Sequence, residues 1–319
     1  MRPTRNDLSQ MARGFLMGGA DIIPGVSGGT MALVLGIYER LVTAISHFDQ
    51  RLMRLVADRQ WRSAAKHVDL RFLVALGTGI LTGAITLAGV MLKLLLDYRM
   101  YTLAVLFGLI IASSLIVARM VRPRDRSQLL GCIGLAIVAA FFAYWLVGLE
   151  QAAGRQDSLL YYFLCGTVAI CAMILPGISG SYILWLLGAY VTVAGIVRSA
   201  VHLDITSREI QILVVFAAGC GIGLICFSKL LRWLLARAHQ GTMAVLGGFI
   251  LGSLRLMWPF QHDLTPDVTK LKLKRYEQYL PQQWDSQITT CLLLAVAAAM
   301  AILLLEKFGR AAEPLEEQV

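Results

Sequence analysis

The sequence predicts an all-α polytopic membrane protein with two inverted repeats, each a re-entrant Pro-Gly helical hairpin plus three transmembrane helices. Three observations support this prediction. Hydrophobic residues make up 57% of the 319 residues and charged residues only 15%. Long apolar segments alternate with short basic ones, and a Pro-Gly motif occurs once in each half of the chain. A soluble domain has closer to a quarter of its residues charged, so an ordinary soluble protein is excluded.

The positive charge of the chain indicates topology rather than a nucleic-acid partner. The formal net charge is +9, but the basic residues lie between apolar segments, where they set orientation and contact anionic lipid. The first apolar segment contains Asp21 and Pro24, so we interpret it as mature structure and not as a cleavable signal. The six cysteines form no Cys-x-x-Cys pair, and we expect buried free thiols and no metal site.

The two Pro-Gly motifs define an internal repeat. Residues 23–30 read Ile-Pro-Gly-Val-Ser-Gly-Gly-Thr, and residues 175–182 read Leu-Pro-Gly-Ile-Ser-Gly-Ser-Tyr, at an offset of 152. Further matches follow in order: Gly36 with Gly188, Tyr38 with Tyr190, 77–79 with 219–221, 104–108 with 244–248, and Ser113 with Ser253. A two-fold repeat is the usual plan of a secondary transporter. We therefore divide the chain into a first repeat, 1–150, and a second repeat, 151–319.

Six segments are apolar enough for a crossing, which needs about 20 residues. These predicted spans are 72–96, 101–118, 129–149, 210–228, 242–257 and 288–305. The Pro-Gly segments, about 14–45 and 159–197, either cross once or dip in and return. Only 25 residues separate Arg13 from Glu39, too few for two full crossings.

The basic residues favour re-entrant hairpins. With both hairpins re-entrant, one side collects 19 of the 29 Lys and Arg. That side holds the N-terminus, 40–71, 119–128, 229–241 and 306–319. The positive-inside rule makes it cytoplasmic, with both chain termini. Three crossings per half then invert the second repeat, so that the two tips can meet near the midplane.

Two connecting regions have a character of their own. Within the basic cytoplasmic loop 46–71, residues 48–67 mix basic and large apolar side chains. We interpret this stretch as a surface helix on an anionic leaflet, with a solvated linker as the alternative. Residues 258–287 form an external loop whose role the sequence does not indicate.

The hairpin tips carry the pattern of an anion site. Pro24 and Pro176 end the first half-helices, and the glycines permit a tight turn. The second half-helices begin near Thr30 and Ser181, where the first amides lack partners and the helix dipole is positive. A phosphate or carboxylate is the natural guest for such donors. The alternative is that the glycines only allow close helix packing.

The candidate substrate-binding residues combine these tips with nearby charges. They are Asp21, Gly25, Ser27, Gly28, Gly29, Thr30, Glu39, Arg40, Gly177, Ser179, Gly180, Ser181, Tyr182 and Arg255. Asp21 is the only acid in the apolar stretch of the first hairpin; it is a functional candidate, or an acid that caps backbone donors. Arg255 lies at the outer end of its span, within reach of a lipid phosphate or snorkelling to the interface.

The charged candidates are asymmetric although the scaffold is repeated. Met173 and Val191 stand where Asp21 and Glu39 would repeat, and Leu115 aligns with Arg255. Glu39 and Arg40 lie at the far end of their half-helix, where they can also make ordinary interfacial ion pairs.

The motifs resemble a known bacterial family. Residues 18–30, Gly-Gly-Ala-Asp-Ile-Ile-Pro-Gly-Val-Ser-Gly-Gly-Thr, followed by Gly-Ile-Tyr-Glu-Arg at 36–40, resemble the polyprenyl-phosphate transporters, as does 175–181. The resemblance covers about 8–305. It implies that the protein is a flippase that returns undecaprenyl phosphate across the bacterial inner membrane for cell-wall synthesis. The resemblance places these residues near the headgroup path: Asp21, Ser27, Thr30, Glu39, Ser179 and Ser181.

Two other functions remain open at this stage. The motif is also similar to the Pro-Gly-x-Ser-Arg-Ser-Gly loop of undecaprenyl-diphosphate phosphatases, but Gly28 replaces the arginine and no histidine or paired glutamates lie near the tip. Phosphoryl transfer depends on such cationic groups or on metal, so a transporter is favoured over an enzyme. A small-anion transporter is the third class. We expect no cofactor; proton coupling through Asp21 or Glu39, sodium coupling and homo-oligomerisation stay open.

Overall fold

The chain folds into an almost wholly helical bundle. The computed structural model describes residues 5–21, 27–149, 158–201, 205–265, 274 and 276–311. The helices of the first repeat are α1 (Arg5–Asp21), α2 (Gly28–Val34), α3 (Tyr38–Ser46), α4 (Gln50–Ala57), α5 (Trp61–His67), α6 (Leu70–Asp97), α7 (Arg99–Met120) and α8 (Arg126–Val147). Those of the second are α9 (Leu159–Ile174), α10 (Gly180–Leu186), α11 (Tyr190–Val201), α12 (Ser207–Arg237), α13 (His239–Ser253) and α14 (Ser286–Ala311).

The membrane spans agree with five of the six predicted segments. Helices α6, α7, α8, α12 and α14 are long and apolar enough to cross a membrane. The sixth segment, 242–257, forms the 15-residue α13 and then a 3₁₀ turn, Leu254–Met257. At about 1.5 Å per residue α13 is shorter than the hydrocarbon core of about 30 Å. The prediction of a polytopic, largely helical protein is therefore confirmed for five spans, whereas the sixth predicted span forms a helix too short to cross by itself.

The chain between α1 and α6 returns to the end of the bundle at which it started. A β-carbon built on Gly79 would lie 2.1 Å from the Met11 carbonyl oxygen, and one on Gly83 2.2 Å from that of Phe15. A step of four residues along α6, from Gly79 to Gly83, matches a step of four residues in the same direction along α1, so α1 and α6 run parallel. A single crossing by residues 14–45 would have made them antiparallel. These directions agree with the re-entrant prediction.

The second repeat shows the same parallel pairing. A β-carbon on Gly219 would lie 2.2 Å from the Phe163 carbonyl oxygen, and one on Gly223 2.8 Å from that of Thr167, so α9 and α12 are parallel. These contacts match Gly79 with Gly219, an offset of 140 that also relates 104–108 to 244–248. The predicted alignment of 77–79 with 219–221 was therefore wrong by two residues. Gly77 has no atom within 4 Å of its β-position, so it carries no packing contact to define the match.

Each second half-helix breaks at a glycine in the left-handed region. Gly36 has φ +70° and Gly188 has φ +80°. In both, the glycine amide bonds the carbonyl three residues back, and the next amide bonds the carbonyl five residues back. This is the Schellman helix ending, which glycine favours because it lacks a β-carbon. The chain bends by 120° between α2 and α3 and by 117° between α10 and α11 (to Val197), so each hairpin is a broken helix.

Four helices join the two repeats. Helix α7 packs along α14, and α8 packs along α13. A β-carbon on Gly108 would lie 2.0 Å from the Ala295 carbonyl oxygen, and one on Gly248 2.3 Å from that of Ala136. Backbones this close need small residues, the usual means of helix association in lipid. We call α7, α8, α13 and α14 the scaffold.

Polar contacts gather the basic segments at one end of the bundle, here called the basic end. The joining pairs are Asp7 with Arg71 (2.7 Å), Arg40 with Asp69 (2.7 Å), Glu39 with His239 (2.9 Å), the Arg122 amide with Gln240 (2.6 Å), and Arg119 with Glu306 (3.7 Å). These pairs bring together the segments that the charge count assigned to one side. The predicted surface helix 48–67 is two short helices, α4 and α5, separated by a turn in which Arg59 has φ +56°.

The opposite end of the bundle is the cap end, formed by residues 98–99, 144–149, 255–265, 274 and 276–280. In the predicted external loop, β1 (Gln261–Asp263) pairs antiparallel with β2 (Tyr276–Gln278). The Arg99 guanidinium joins this cap to α7, lying 3.4 Å from the ring centre of Tyr276 and donating to Gln261. A small β-hairpin within an all-α prediction was not expected.

Candidate functional site

The tips of the two hairpins contact each other inside the bundle. The Thr30 hydroxyl oxygen accepts a hydrogen bond from the Gly177 amide at 2.9 Å, and both groups are buried. The Ser27 hydroxyl lies 3.3 Å from the Leu175 carbonyl and 3.4 Å from that of Met173. The Tyr38 hydroxyl donates to the Ile174 carbonyl at 3.2 Å. We call Ser27, Gly29, Thr30, Tyr38 and the segment 173–177 the tip junction.

Glycines allow this junction to close. A β-carbon on Gly29 would lie 2.6 Å from the Ile174 carbonyl oxygen, across the junction. Gly177 has φ +84°, and a β-carbon there would lie 2.6 Å from the Phe249 carbonyl oxygen. Gly180 has a similar contact with Ala169 of its own hairpin. Close packing, the alternative explanation of these glycines, therefore accounts for part of the motif.

The backbone donors at the first tip are not free in this conformation. Ser27 caps α2: its hydroxyl accepts from the Gly29 amide at 3.1 Å, and its carbonyl accepts from the Thr30 amide at 2.9 Å. The expectation of unpartnered donors at this tip was therefore wrong for these two amides, because the motif supplies its own cap. Pro24 and Gly25 lie outside the described residues.

The second tip keeps its hydroxyls accessible. Ser179 caps α10 without a side-chain bond to the helix amides. Its hydroxyl lies 3.0 Å from that of Ser181 instead, and Ser181 is exposed. The two repeats thus use matching serines differently: Ser27 is buried in the junction, whereas Ser179 and Ser181 form a polar pair beside it.

Tyr182 and Arg255 lie together at the cap end, around the last turn of α8. The Tyr182 hydroxyl donates to the Val147 carbonyl at 2.8 Å. Arg255 donates from Nη1 to the Tyr144 carbonyl at 3.0 Å, and its guanidinium lies 4.5 Å from the Tyr144 ring centre. The last carbonyls of a helix lack intrahelical partners and carry partial negative charge, so both side chains complete this helix end.

Glu39 and Arg40 lie at the basic end. Glu39 pairs with His239 at the start of α13, and Arg40 pairs with Asp69 and lies 4.3 Å from the Phe72 ring centre. The structure therefore engages them with other side chains and not with the tip junction. Asp21 is the last residue of α1, and its side chain lies outside the described part of the structure.

Tyr38 is the site residue that the sequence did not single out. It matches Tyr190 across the repeat, and that match was the available signal. Its hydroxyl is 136 residues from its partner in the chain, so only the fold reveals the contact. A buried tyrosine hydroxyl normally finds a hydrogen-bond partner, which makes a matched tyrosine in an apolar helix a reasonable candidate.

Comparison with known proteins gives a consistent result. The VCA0040-like family model, described as undecaprenyl phosphate translocase-like, matches residues 17–273. A polyprenyl-phosphate transporter of Vibrio cholerae serotype O1 is 35% identical over 315 residues, covering 96% of this chain and 98% of the relative. A polyprenyl-phosphate transporter of Staphylococcus aureus is 32% identical over 257 residues, covering 77% of this chain and 84% of the relative. No solved structure matches.

Proposed function

The chain belongs to the undecaprenyl phosphate translocase-like family, and on that premise we propose that it translocates undecaprenyl phosphate across the bacterial inner membrane. The headgroup passes the tip junction while the isoprenoid tail stays in lipid. The observation that carries this proposal is the meeting of the two hairpin tips through hydroxyl and amide groups within a bundle of membrane helices.

The junction has the chemistry that a transient phosphate site needs. When the tips separate, they release the hydroxyls of Ser27, Thr30 and Tyr38 and the Gly177 amide. Phosphate oxygens replace the lost partners, and the Ser179 hydroxyl pair lies alongside. Neutral donors bind a phosphate without the full strength of an ion pair. A transported ligand must leave as well as bind, which favours such a site over a cationic clamp.

Helix directions support an inverted repeat. Helix α8 runs parallel to α13, and α7 parallel to α14, as their glycine contacts and the Arg119–Glu306 pair indicate. The chain reverses direction between α6 and α7 and again between α7 and α8, so α6, α8 and α13 point the same way. It also reverses at Ala238 between α12 and α13, so α12 runs opposite to α6. We assign the two hairpins to opposite membrane faces on this basis, with the basic end cytoplasmic.

The scaffold suggests which parts move. Whole repeats are interlocked, because α7 and α8 pack on helices of the other repeat through backbone contacts. We therefore assign the motion to each hairpin with its parallel long helix, moving against the scaffold. In this conformation α3 packs against α12 and Glu39 bonds His239, whereas α11 packs against α12 of its own repeat. Exchange of these arrangements would alternate access between the two faces.

A liposome assay tests the function. Purified protein is reconstituted with undecaprenyl phosphate, and a membrane-impermeant phosphatase reports the fraction in the outer leaflet over time, with and without proton or sodium gradients. Faster exchange than in protein-free liposomes, without exchange of phosphatidylglycerol, is expected. An unchanged leaflet distribution under every gradient would overturn the proposal. Release of phosphate from undecaprenyl diphosphate by the protein alone would instead favour the phosphatase alternative.

A further inference from the structure

A cleft of about 460 Å³ opens at the cap end, separate from the tip junction. It lies where α8 and α13 end beneath the β-hairpin. Its principal lining residues are Phe107, Tyr144, Arg255, Trp258, Tyr279 and Leu280. Resting on the proposed function, we infer that this cleft receives the phosphate headgroup and first isoprene units of the lipid from the leaflet at the cap end.

Arg255 supplies the charge for this recognition. It is the one charged residue among those that line the cleft. Within the described part of the chain no carboxylate lies within 4 Å of its guanidinium, whose described partners are the Tyr144 carbonyl and ring. A guanidinium has five N–H donors in a planar fork that matches phosphate geometry. Arg255 therefore retains donors for a phosphate.

The other walls suit a hydrocarbon tail. Leu280 is 77% exposed and Tyr279 37%, although both are large and apolar. The Trp258 indole donates to the Tyr279 carbonyl at 2.9 Å, which ties the Trp258 ring to the segment that carries Tyr279 and Leu280. Aromatic residues with a polar tip concentrate at the membrane–water interface, the level of lipid headgroups. A free anion would gain nothing from these walls, so the chemistry favours a phosphate with an attached isoprenoid.

The cleft also adjoins the second hairpin. Arg255 and Tyr182 both donate to carbonyls of the last turn of α8, those of Tyr144 and Val147. Tyr182 directly follows Ser181 of the accessible serine pair. A headgroup that leaves Arg255 thus meets the hydroxyls of the second tip next.

The receiving site is one-sided. At the offset of 140 that relates α7 to α13, the counterpart of Arg255 is Leu115, which is 47% exposed. The first repeat therefore lacks the cation at the equivalent position. Arg255 captures the headgroup at the cap end, and the first repeat has no cation at the equivalent position, Leu115. This difference favours uptake from the leaflet at the cap end, a bias that a symmetric scaffold alone cannot provide.

The test is equilibrium binding of radiolabelled undecaprenyl phosphate to the full-length protein in detergent. Arg255→Gln is expected to raise Kd about 10- to 150-fold, the range for loss of a hydrogen bond to a charged group. Arg255→Lys should fall between, because lysine keeps the charge but not the fork. Arg126→Gln is the matched control, an exposed arginine at the start of α8 and the opposite end of the bundle, and should leave Kd unchanged.

A second pair of ligands and variants keeps the test independent of folding at Arg255. Tyr279→Ala combined with Leu280→Ala should weaken the binding of undecaprenyl phosphate and of geranyl phosphate, which both carry the first isoprene units, but not that of methyl phosphate, which has none. An unchanged Kd in Arg255→Gln would overturn the inference. Displacement of the bound lipid by millimolar inorganic phosphate as complete as that by unlabelled undecaprenyl phosphate would also overturn it. If either occurs while the wild-type protein still exchanges the lipid in liposomes, the proposed function stands without the cleft. Loss of wild-type exchange despite tight binding would refute the function instead.

Discussion

Thr30→Val isolates the hydrogen bond that closes the tip junction. Thr30 is 3% exposed, and its hydroxyl oxygen accepts from the buried Gly177 amide at 2.9 Å. Valine keeps the branched shape and replaces the hydroxyl by a methyl group. The substitution therefore leaves the Gly177 amide without a partner inside the bundle, because the methyl group fills the space from which a replacement would come.

The expected cost follows from the buried donor. Leaving a buried donor unsatisfied costs about 1–3 kcal/mol in proteins generally. Hydrogen bonds between membrane helices average about 0.6 kcal/mol, with a maximum near 1.7. We expect a loss of about 1–2 kcal/mol for Thr30→Val, close to the membrane maximum because the amide is fixed by a loop. In a chain of this length that corresponds to a fall in Tm of roughly 1.5–3 °C.

Thermal unfolding of the detergent-solubilised protein measures this change. Thr30→Ser should recover most of the loss, since it restores the hydroxyl. The control is Thr82→Val on α6, where the hydroxyl bonds carbonyls of its own helix that keep their backbone partners. Its effect should stay within about 0.5 kcal/mol. Equal Tm values for Thr30→Val and Thr82→Val would refute the reasoning, since the junction would then contribute nothing to stability.

Three further predictions use the same unfolding measurement. Gly79→Ala should destabilise by about 1–3 kcal/mol because α1 lies too close for a methyl group, whereas Gly77→Ala, in open space, should be neutral or stabilising by up to about 1 kcal/mol; equal effects would contradict the repeat register. Gly188→Ala should cost about 1–2 kcal/mol through its left-handed backbone, and Gly195→Ala should not. Burial raises the pKa of Asp49, but hydrogen bonds from backbone and imidazole donors outweigh it and hold the pKa below its ordinary value. The stability from this pair is thus complete above about pH 4 and lost as pH falls through the lower folded pKa, a dependence that Asp49→Asn should remove.

The sequence predicts five of the six spans and the position of both bent helix pairs because lipid imposes strong patterns. Apolar length, basic clusters and paired Pro-Gly motifs each follow from the cost of exposing charge or backbone to hydrocarbon. The break at Gly36 was also available in principle. A glycine that follows an apolar half-helix and recurs as Gly188 is the pattern of a Schellman ending. The sequence analysis used Gly36 and Gly188 only to align the two repeats and did not predict that a helix ends at each of them.

The partners of the tip residues could not be predicted from the sequence. The motif identifies hydroxyl groups such as those of Ser27 and Thr30, but Ser27 donates to a carbonyl, and Thr30 accepts from an amide, more than 140 residues away. The register between α6 and α12 failed for a related reason. Glycines two residues apart cannot be distinguished in an apolar helix by sequence. The structure shows that Gly79 packs against the facing helix too closely for a side chain, whereas Gly77 faces open space.

Two ion pairs at the basic end distinguish hairpin motion from rocking of whole repeats. Glu39 and His239 join the first hairpin to the scaffold at 2.9 Å, whereas Arg119 and Glu306 join two scaffold helices of different repeats at 3.7 Å. In a background without the native cysteines, each pair is replaced by two cysteines and stapled with a short bifunctional thiol reagent. Mass spectrometry measures the stapled fraction, and the liposome assay measures exchange.

We expect the Glu39→Cys/His239→Cys staple to abolish exchange, because it holds α3 against α12 and α13 and so blocks the hairpin motion proposed above. The Arg119→Cys/Glu306→Cys staple should leave exchange intact, because α7 and α14 already pack backbone to backbone at Gly108 and do not move relative to each other when only the hairpins move. A rotation of one whole repeat against the other would break this contact. Single-cysteine variants treated with the reagent control for modification alone. If the scaffold staple also stops exchange, the repeats move as whole bodies and the interlocking contacts must break in every cycle. If neither staple does, the basic end does not open at α3, and the path of the headgroup lies elsewhere.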